Sequence, residues 1–131
     1  MNPAIDDLLA QEMLSFTLVA GQFDVESLAA AIAGIGFSFR DATDPSRFVI
    51  TSDAQSRDYF QAARRADPES LFPRVVVLQV TPDEVLVWPS TTMDSLRALS
   101  REVLEWLTGS FSCDIANEFG TDMATLRTPR E

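Results

Sequence analysis

The chain has 131 residues, of which 20 are acidic and 10 are basic, so its formal net charge is −10. It contains no histidine, no lysine and a single cysteine, Cys113. These absences exclude Ser-His-Asp and Cys-His catalysis, Schiff-base chemistry on lysine, a Walker A loop, and zinc sites built on histidine and paired cysteines. The negative charge disfavours nucleic acid and anionic membrane surfaces as partners, because both need a basic footprint.

The length predicts one globular domain over residues 1–131, with residues 121–131 as a frayed C-terminal tail. Hydrophobic residues make up 46% of the chain, which is enough for one core without disulfides or a metal. No apolar run is long enough to span a bilayer, and the first residues lack the pattern of a signal peptide. We therefore expect a cytoplasmic protein without a cofactor.

The first third of the chain is predicted to form a helix, a strand and a second helix. The short first helix is expected over residues 3–12. Leu14–Ala20 alternates apolar and polar side chains, which is the pattern of a half-buried strand. Asp24 is a candidate N-cap for the second helix, and Gly34 and Gly36 mark its end.

Two hairpins are predicted in the middle of the chain. Turn residues connect Phe37–Arg40 to Arg47–Thr51, which predicts the first hairpin. The second hairpin comprises Val75–Val80 and Val85–Trp88, and both of its strands are apolar on both faces. Such strands are usually covered on both sides, and the alternative is that one face receives a partner.

The remaining elements complete a mixed pattern of helices and strands. A helix is predicted over Ala54–Ala66, between the hairpins. Thr91 and Asp94 have the spacing of a capping box that begins the longest helix, and Phe111–Phe119 is a candidate last strand. The order predicts an α+β fold, with an antiparallel or mixed sheet of about five strands and helices packed mainly on one face. Ferredoxin-like topology is one candidate.

Carboxylates dominate the candidate functional residues. We expect acids at the tip of the second hairpin to combine with acids near the C-terminus in one patch, with a tryptophan as its apolar anchor. Such a patch attracts a basic protein over a distance, and salt screens this attraction. The predicted partner-binding residues are Asp83, Glu84, Trp88, Asp114, Glu118 and Asp122.

Three arginines form an alternative candidate site. Arg57, Arg64 and Arg65 fall on one side of the helix between the hairpins, because seven and eight residues correspond to about two helical turns. As a cluster they predict an anion-binding site, since guanidinium groups bind phosphate or carboxylate through two hydrogen bonds. The competing interpretation is a solvated face balanced by neighbouring aspartates.

In size, acidity and missing catalytic side chains, the chain is similar to small bacterial proteins that bind and neutralise another protein, such as toxin-immunity proteins and phage-encoded inhibitors. The likeness is one of composition and involves no motif. The leading hypothesis is a non-enzymatic acidic module of inhibitor or immunity type that occludes a basic surface of a partner protein. Two alternatives stay open: a carboxylate-only enzyme, metal-assisted or glycosidic, and a homodimeric effector chaperone or assembly module. The acidity is equally typical of a solubility requirement, or of a halophilic or high-GC source.

Overall fold

A computed structural model describes residues 5–67 and 75–120. The predicted strands are all present, and their ends differ from the sequence-based bounds by no more than two residues. The helices are α1 (Ile5–Leu9), α2 (Val25–Ile32), α3 (Ala54–Ala66) and α4 (Asp94–Ser110). The strands are β1 (Leu14–Leu18), β2 (Phe37–Arg40), β3 (Arg47–Thr51), β4 (Val76–Val80), β5 (Val85–Trp88) and β6 (Cys113–Asn117).

The strands form one six-stranded sheet in the order β2-β3-β4-β5-β1-β6, and every neighbouring pair is antiparallel. This confirms the α+β prediction. The strand order differs from the ferredoxin-like candidate, in which a single strand splits the first βαβ unit. Here β3, β4 and β5 all lie between β1 and β2, because the β4–β5 hairpin pairs with β3 on one side and with β1 on the other.

The helices cover the two faces of the sheet unequally. Helices α1, α2 and α4 pack on what we call the inner face, where strand residues such as Phe16 and Leu78 are fully buried. Helix α3 packs on the opposite, outer face, where Phe60 contacts a small cluster that includes Phe39 and Val49. Helices therefore lie mainly on one face, as predicted, and α3 is the exception.

Aspartate side chains cap α2 and α3 at their N-termini. Asp24 accepts hydrogen bonds from the Ser27 hydroxyl at 2.9 Å and from the backbone N–H of Glu26 at 3.1 Å. Asp53 accepts one from the backbone N–H of Ser56 at 2.6 Å. These bonds lower the pKa of both carboxyls, because they favour the ionised form. The caps satisfy backbone donors that the first helical turn leaves without partners.

A glycine permits the turn between α2 and β2. Gly36 has a φ of +54°, in the left-handed region that side chains disfavour. A Cβ atom at this position would lie 2.9 Å from Leu99 Cδ2 and 3.0 Å from the Thr51 carbonyl oxygen. The close approach of α4 and β3 therefore requires glycine here.

The start of α4 differs from the sequence-based prediction. Helix α4 begins at Asp94, and Met93 occupies the N-cap position without a capping hydrogen bond, so the predicted capping box at Thr91 is wrong. The hydroxyl of Ser100, buried in α4, accepts a hydrogen bond from the Ser90 N–H and donates one to its carbonyl, both at 2.9 Å. These bonds fix the chain just before the helix, so its start depends on a tertiary contact. Over residues 5–67 and 75–120, no helix combines the length and apolar character needed to cross a membrane.

Candidate functional site

One half of the outer face is left open in the described structure. Helix α3 packs against β2 and β3, whereas the outer side chains of β5, β1 and β6 stay exposed or half-buried. Strand register places these side chains together, because residues directly opposite each other in an antiparallel pair point to the same face. We call this surface the open face, and it comprises Ser15, Thr17, Leu86, Trp88, Asp114 and Ala116.

A polar row crosses one end of the open face. Thr17 of β1 lies directly opposite Asp114 of β6. On the other side of β1, Glu84 adjoins the first residue of β5, and its Oε2 accepts a hydrogen bond of 2.7 Å from the Ser15 hydroxyl. Two acidic residues thus flank β1, and the strands on either side of β1 lie about 10 Å apart, which is two strand spacings.

Trp88 lies at the opposite end of β5, with 39% of its surface exposed. It lines a groove of about 640 Å³ together with Val75, Val77, Arg47 and Glu12. Apolar side chains with a few polar groups around them are typical of surfaces that bind ligands or protein side chains. The groove is large enough for a bulky side chain or a short length of extended peptide.

A buried ion pair joins α3 to the turn between β2 and β3. Asp41 is only 2% exposed, and the Arg64 Nε lies 3.1 and 3.2 Å from its two carboxylate oxygens. The Thr43 backbone N–H and hydroxyl each donate to Asp41 Oδ1 at 2.9 Å. Burial raises the pKa of Asp41, but the hydrogen bonds from Thr43 and Arg64 outweigh burial and lower the pKa overall. A carboxylate held in its ionised form is unsuited to donate a proton near neutral pH.

Neighbouring groups extend this ion pair into a closed polar cluster. Arg47 Nε donates to Gln79 Oε1 at 3.0 Å, and Gln79 Nε2 donates to Asp44 Oδ2 at 3.1 Å. Arg47 also lies within 3.5 Å of Asp41 Oδ2. The cluster stabilises the packing of β3, β4 and α3. Because its polar groups bond to one another, few of their donors and acceptors are left to bind a ligand.

The structure brings together part of the acidic patch predicted from the sequence. Glu84 and Asp114 belong to the same polar row, and Asp83 lies beside Glu84 in the hairpin turn. Trp88 is on the same face but at the far end of β5. Asp122 lies outside the described residues.

Among the predicted acids that the structure describes, Glu118 is distinguished by its bonds to backbone N–H groups of another segment. It follows the end of β6, and its Oε1 accepts hydrogen bonds from the backbone N–H groups of Glu12 and Met13 at 3.1 and 3.3 Å. The carboxylate thereby joins the chain after β6 to the segment before β1. Its negative charge remains near the groove, since Glu12 is part of the groove wall.

The three arginines of the alternative site have three different surroundings. Arg64 is buried against Asp41, as described above. Arg57 bonds to Asp58 at 3.1 Å, and its guanidinium lies 5.8 Å from the Phe37 ring centroid. Arg65 is exposed. The predicted anion site would have to form without the Arg64 guanidinium, which Asp41 already engages.

Sequence reasoning missed four residues of the open face: Ser15, Thr17, Leu86 and Ala116. The alternation in the predicted strand over Leu14–Ala20 already assigned Ser15 and Thr17 to its polar side. The local sequence pattern does not predict that β5 and β6 are the strands that pair with β1. Without those neighbours, two polar residues in one strand do not indicate a binding surface.

The free thiol of Cys113 is unsuited to nucleophilic chemistry. Burial, with a smaller contribution from the adjacent Asp114 charge, raises its pKa to about 11. The thiolate fraction near neutral pH is therefore very small. The described residues also contain no group of three or more cysteine, aspartate and glutamate side chains placed to hold a metal ion.

Comparison with known proteins found no matching family model, no matching curated protein and no matching solved structure. The geometry and charge of the open face are therefore the basis for a proposed function.

Proposed function

We propose that this protein is a non-enzymatic binding module of inhibitor or immunity type, and that its open face occludes a basic surface of a partner protein. The observation that carries the proposal is the combination of an exposed Trp88 with the Glu84 and Asp114 carboxylates on a half-sheet that no described helix covers. An exposed aromatic side chain together with charged groups on one surface is a common composition of protein interfaces.

Charge supports a basic partner. A net charge of −10 attracts cationic proteins over distances of about one Debye length, roughly 10 Å at moderate ionic strength. The acids of the polar row then oppose partners that carry negative charge, because like charges in an interface cost several kcal/mol. The net charge and the acids of the polar row therefore both favour a basic partner protein.

The surroundings of the acids and of the thiol favour binding over catalysis. Asp41 is the buried carboxylate of the described chain, and Arg64 and Thr43 hold it ionised. The proposal includes a cytoplasmic location, because Cys113 is a free, half-buried thiol of the kind that reducing compartments preserve.

The proposal is tested by capture from the native host at low and high salt. Immobilised wild-type protein is compared with Asp114→Arg and with the matched control Glu105→Arg, which makes the same charge change on an exposed position of α4, on the inner side of the sheet. Captured proteins are identified by mass spectrometry, and the affinity of the purified partner for each variant is then measured.

We expect a basic partner that wild type and Glu105→Arg retain at low salt and that Asp114→Arg loses by about tenfold or more, as for a charge pair worth at least 1.4 kcal/mol. Equal loss in the two variants would show that only net charge matters and would contradict the role of the open face. Capture of no basic protein at low salt would overturn the proposed function.

A further inference from the structure

Strand β6 is an edge of the sheet formed by the described residues. In the described part of the chain it pairs with β1 on one side only, over five residues from Cys113 to Asn117. An edge strand presents backbone N–H and C=O groups that another strand can use.

The register identifies the outward-facing groups. Val19 N–H bonds to the Ser112 carbonyl at 2.9 Å, which extends the β1–β6 ladder by one pair. Hydrogen-bonded pairs alternate with non-bonded pairs in an antiparallel ladder. Asp114 and Ala116 therefore direct their backbone groups towards β1, whereas Cys113 and Ile115 direct theirs away from the sheet.

At the opposite edge of the sheet, side chains of β2 hinder the addition of another strand. Arg40 of β2 pairs with Glu26 of α2 at 2.7 Å and also donates to the Pro45 carbonyl. The Ser38 hydroxyl bonds to the Ile32 carbonyl at 3.3 Å. Charged and bonded side chains of this kind are a common protection of sheet edges. Strand β6 has one charged side chain, Asp114, and it lies on the open face.

We propose that an extended, basic segment of the partner protein adds to β6 as a seventh strand. This inference rests on the proposed function and specifies how the partner is held. The N–H and C=O groups of Cys113 and Ile115 would supply up to four backbone hydrogen bonds, in the mode known as strand addition.

The side chains around β6 define the sequence pattern of that segment. On the open face, one residue of the added strand lies beside Asp114, the next on that face lies beside Ala116, and a third lies near Glu118. The matching pattern is basic, small and basic at every second position, with apolar residues between them facing the side of Ile115. A second copy of this chain fits poorly, because each copy carries a net charge of −10 and repels the other.

A synthetic peptide tests the hydrogen-bond pattern directly. The probe is acetyl-Thr-Lys-Thr-Ser-Val-Lys-Val-amide, aligned antiparallel to β6. Its lysines lie beside Glu118 and Asp114 and its serine beside Ala116, while its valines lie opposite Ile115 and Cys113 and have their backbone groups directed at β6. Two variants carry the same charge: one has both valines N-methylated, and the matched control has the serine N-methylated, whose N–H points away from β6. Binding is followed by the backbone amide NMR signals of the full-length protein.

We expect the probe and the serine-methylated control to shift the amide signals of Cys113 and Ile115, with affinities within about threefold of each other. Methylation of both valines removes two hydrogen bonds, so we expect affinity to fall by about tenfold or more. Equal binding of the three peptides, or shifts confined to Phe37–Arg40, would overturn the proposal. Shifts at β6 without peptide that grow with protein concentration would assign the edge to a second copy and would also overturn it.

A pair of protein variants provides an independent check. Cys113→Pro removes the outward N–H at the first position of β6, and Cys113→Ala retains it while making a comparable change in the side chain. We expect the proline variant to lose most of the probe affinity and the alanine variant to keep it. If the proline variant fails to fold, the methylated peptides still decide the question.

The two proposals fail in different ways. If Asp114→Arg loses the cellular partner but valine methylation has no effect on the probe, the proposed function stands and strand addition is wrong. If the probe binds β6 as expected but no basic partner is captured at low salt, strand addition survives as a property of the edge and the proposed function is wrong.

Discussion

The Asp41–Arg64 pair is a buried ion pair with a structural role in the fold. Both side chains are almost fully buried, and they connect the β2–β3 turn to α3 across 23 positions of sequence. Burial alone would raise the pKa of Asp41, as in many catalytic acids. The guanidinium and the Thr43 donors reverse that effect, so Asp41 is ionised and bonded.

We predict that Asp41→Asn lowers the free energy of unfolding by about 3–5 kcal/mol, because it breaks a buried ion pair. The exposed Asp58→Asn in α3 is the control, and we expect it to change stability by about 0.5 kcal/mol or less. Urea unfolding at neutral pH measures both. A loss below about 1 kcal/mol for Asp41→Asn would show that the pair contributes little.

The same pair predicts a pH dependence. The folded-state pKa of Asp41 is lower than its unfolded-state value, so its contribution is complete above the unfolded-state pKa of about 4 and is lost as pH falls through the folded-state pKa. Wild-type stability should therefore fall below about pH 4 more steeply than that of Asp41→Asn. If the free energy of unfolding fell equally steeply with pH for the two proteins, the lowered pKa of Asp41 would be contradicted.

At the level of elements, the helices differ in how their N-termini are stabilised. Helices α2 and α3 begin at aspartate caps, and the sequence pattern identifies the first of them, Asp24. Helix α4 begins after Met93, which has the extended backbone of an N-cap residue but offers no acceptor. Its position is determined by packing on the inner face and by the buried bonds between Ser100 and Ser90. Tertiary contacts have replaced a local signal at this helix.

We predict that Met93→Ser raises the free energy of unfolding by about 1 kcal/mol, because the serine hydroxyl can accept a backbone hydrogen bond in the first turn of α4. Met93→Ala is the control for loss of the methionine side chain. Asp53→Ala, which removes an existing cap, should lower stability by about 0.5–2 kcal/mol. Thermal or urea unfolding measures all three, and equal stability of the serine and alanine variants would contradict the capping argument.

For the whole molecule, the dominant electrostatic property is an excess of negative charge. There are twice as many acidic as basic residues, and several of the described arginines are already paired with carboxylates. The remaining acids repel one another in the compact state and attract cationic surfaces outside it. Stability and partner binding should therefore respond to salt in opposite directions.

We predict that raising sodium chloride from about 10 mM to about 150 mM increases the free energy of unfolding, because the Debye length falls from about 30 Å to about 8 Å and screens this repulsion. Over the same range, affinity for the captured partner should fall. Urea unfolding and partner titration in the same buffers provide the two measurements. A stability decrease with salt would show that attractive ion pairs outweigh the repulsion.

The sequence by itself determined most of the secondary structure and the chemical inventory of this protein. Alternation located strands, the Asp24 cap located the start of α2, and the absence of histidine and lysine excluded whole classes of mechanism. These properties depend on residues within a few positions of one another. Six binding residues could be predicted from such local patterns, but the patterns did not predict where these residues lie relative to one another.

The tertiary structure alone decided the strand order, the open face and the fate of the charged groups. Ser15 bonds to Glu84 across 69 positions, and Glu118 bonds to the segment before β1 across more than 100. The sequence predicted Arg64 as part of an anion-binding site, whereas in the fold Arg64 forms an ion pair with Asp41. Such contacts depend on which strands become neighbours, and that choice is made by the packing of the whole core, which no local pattern encodes.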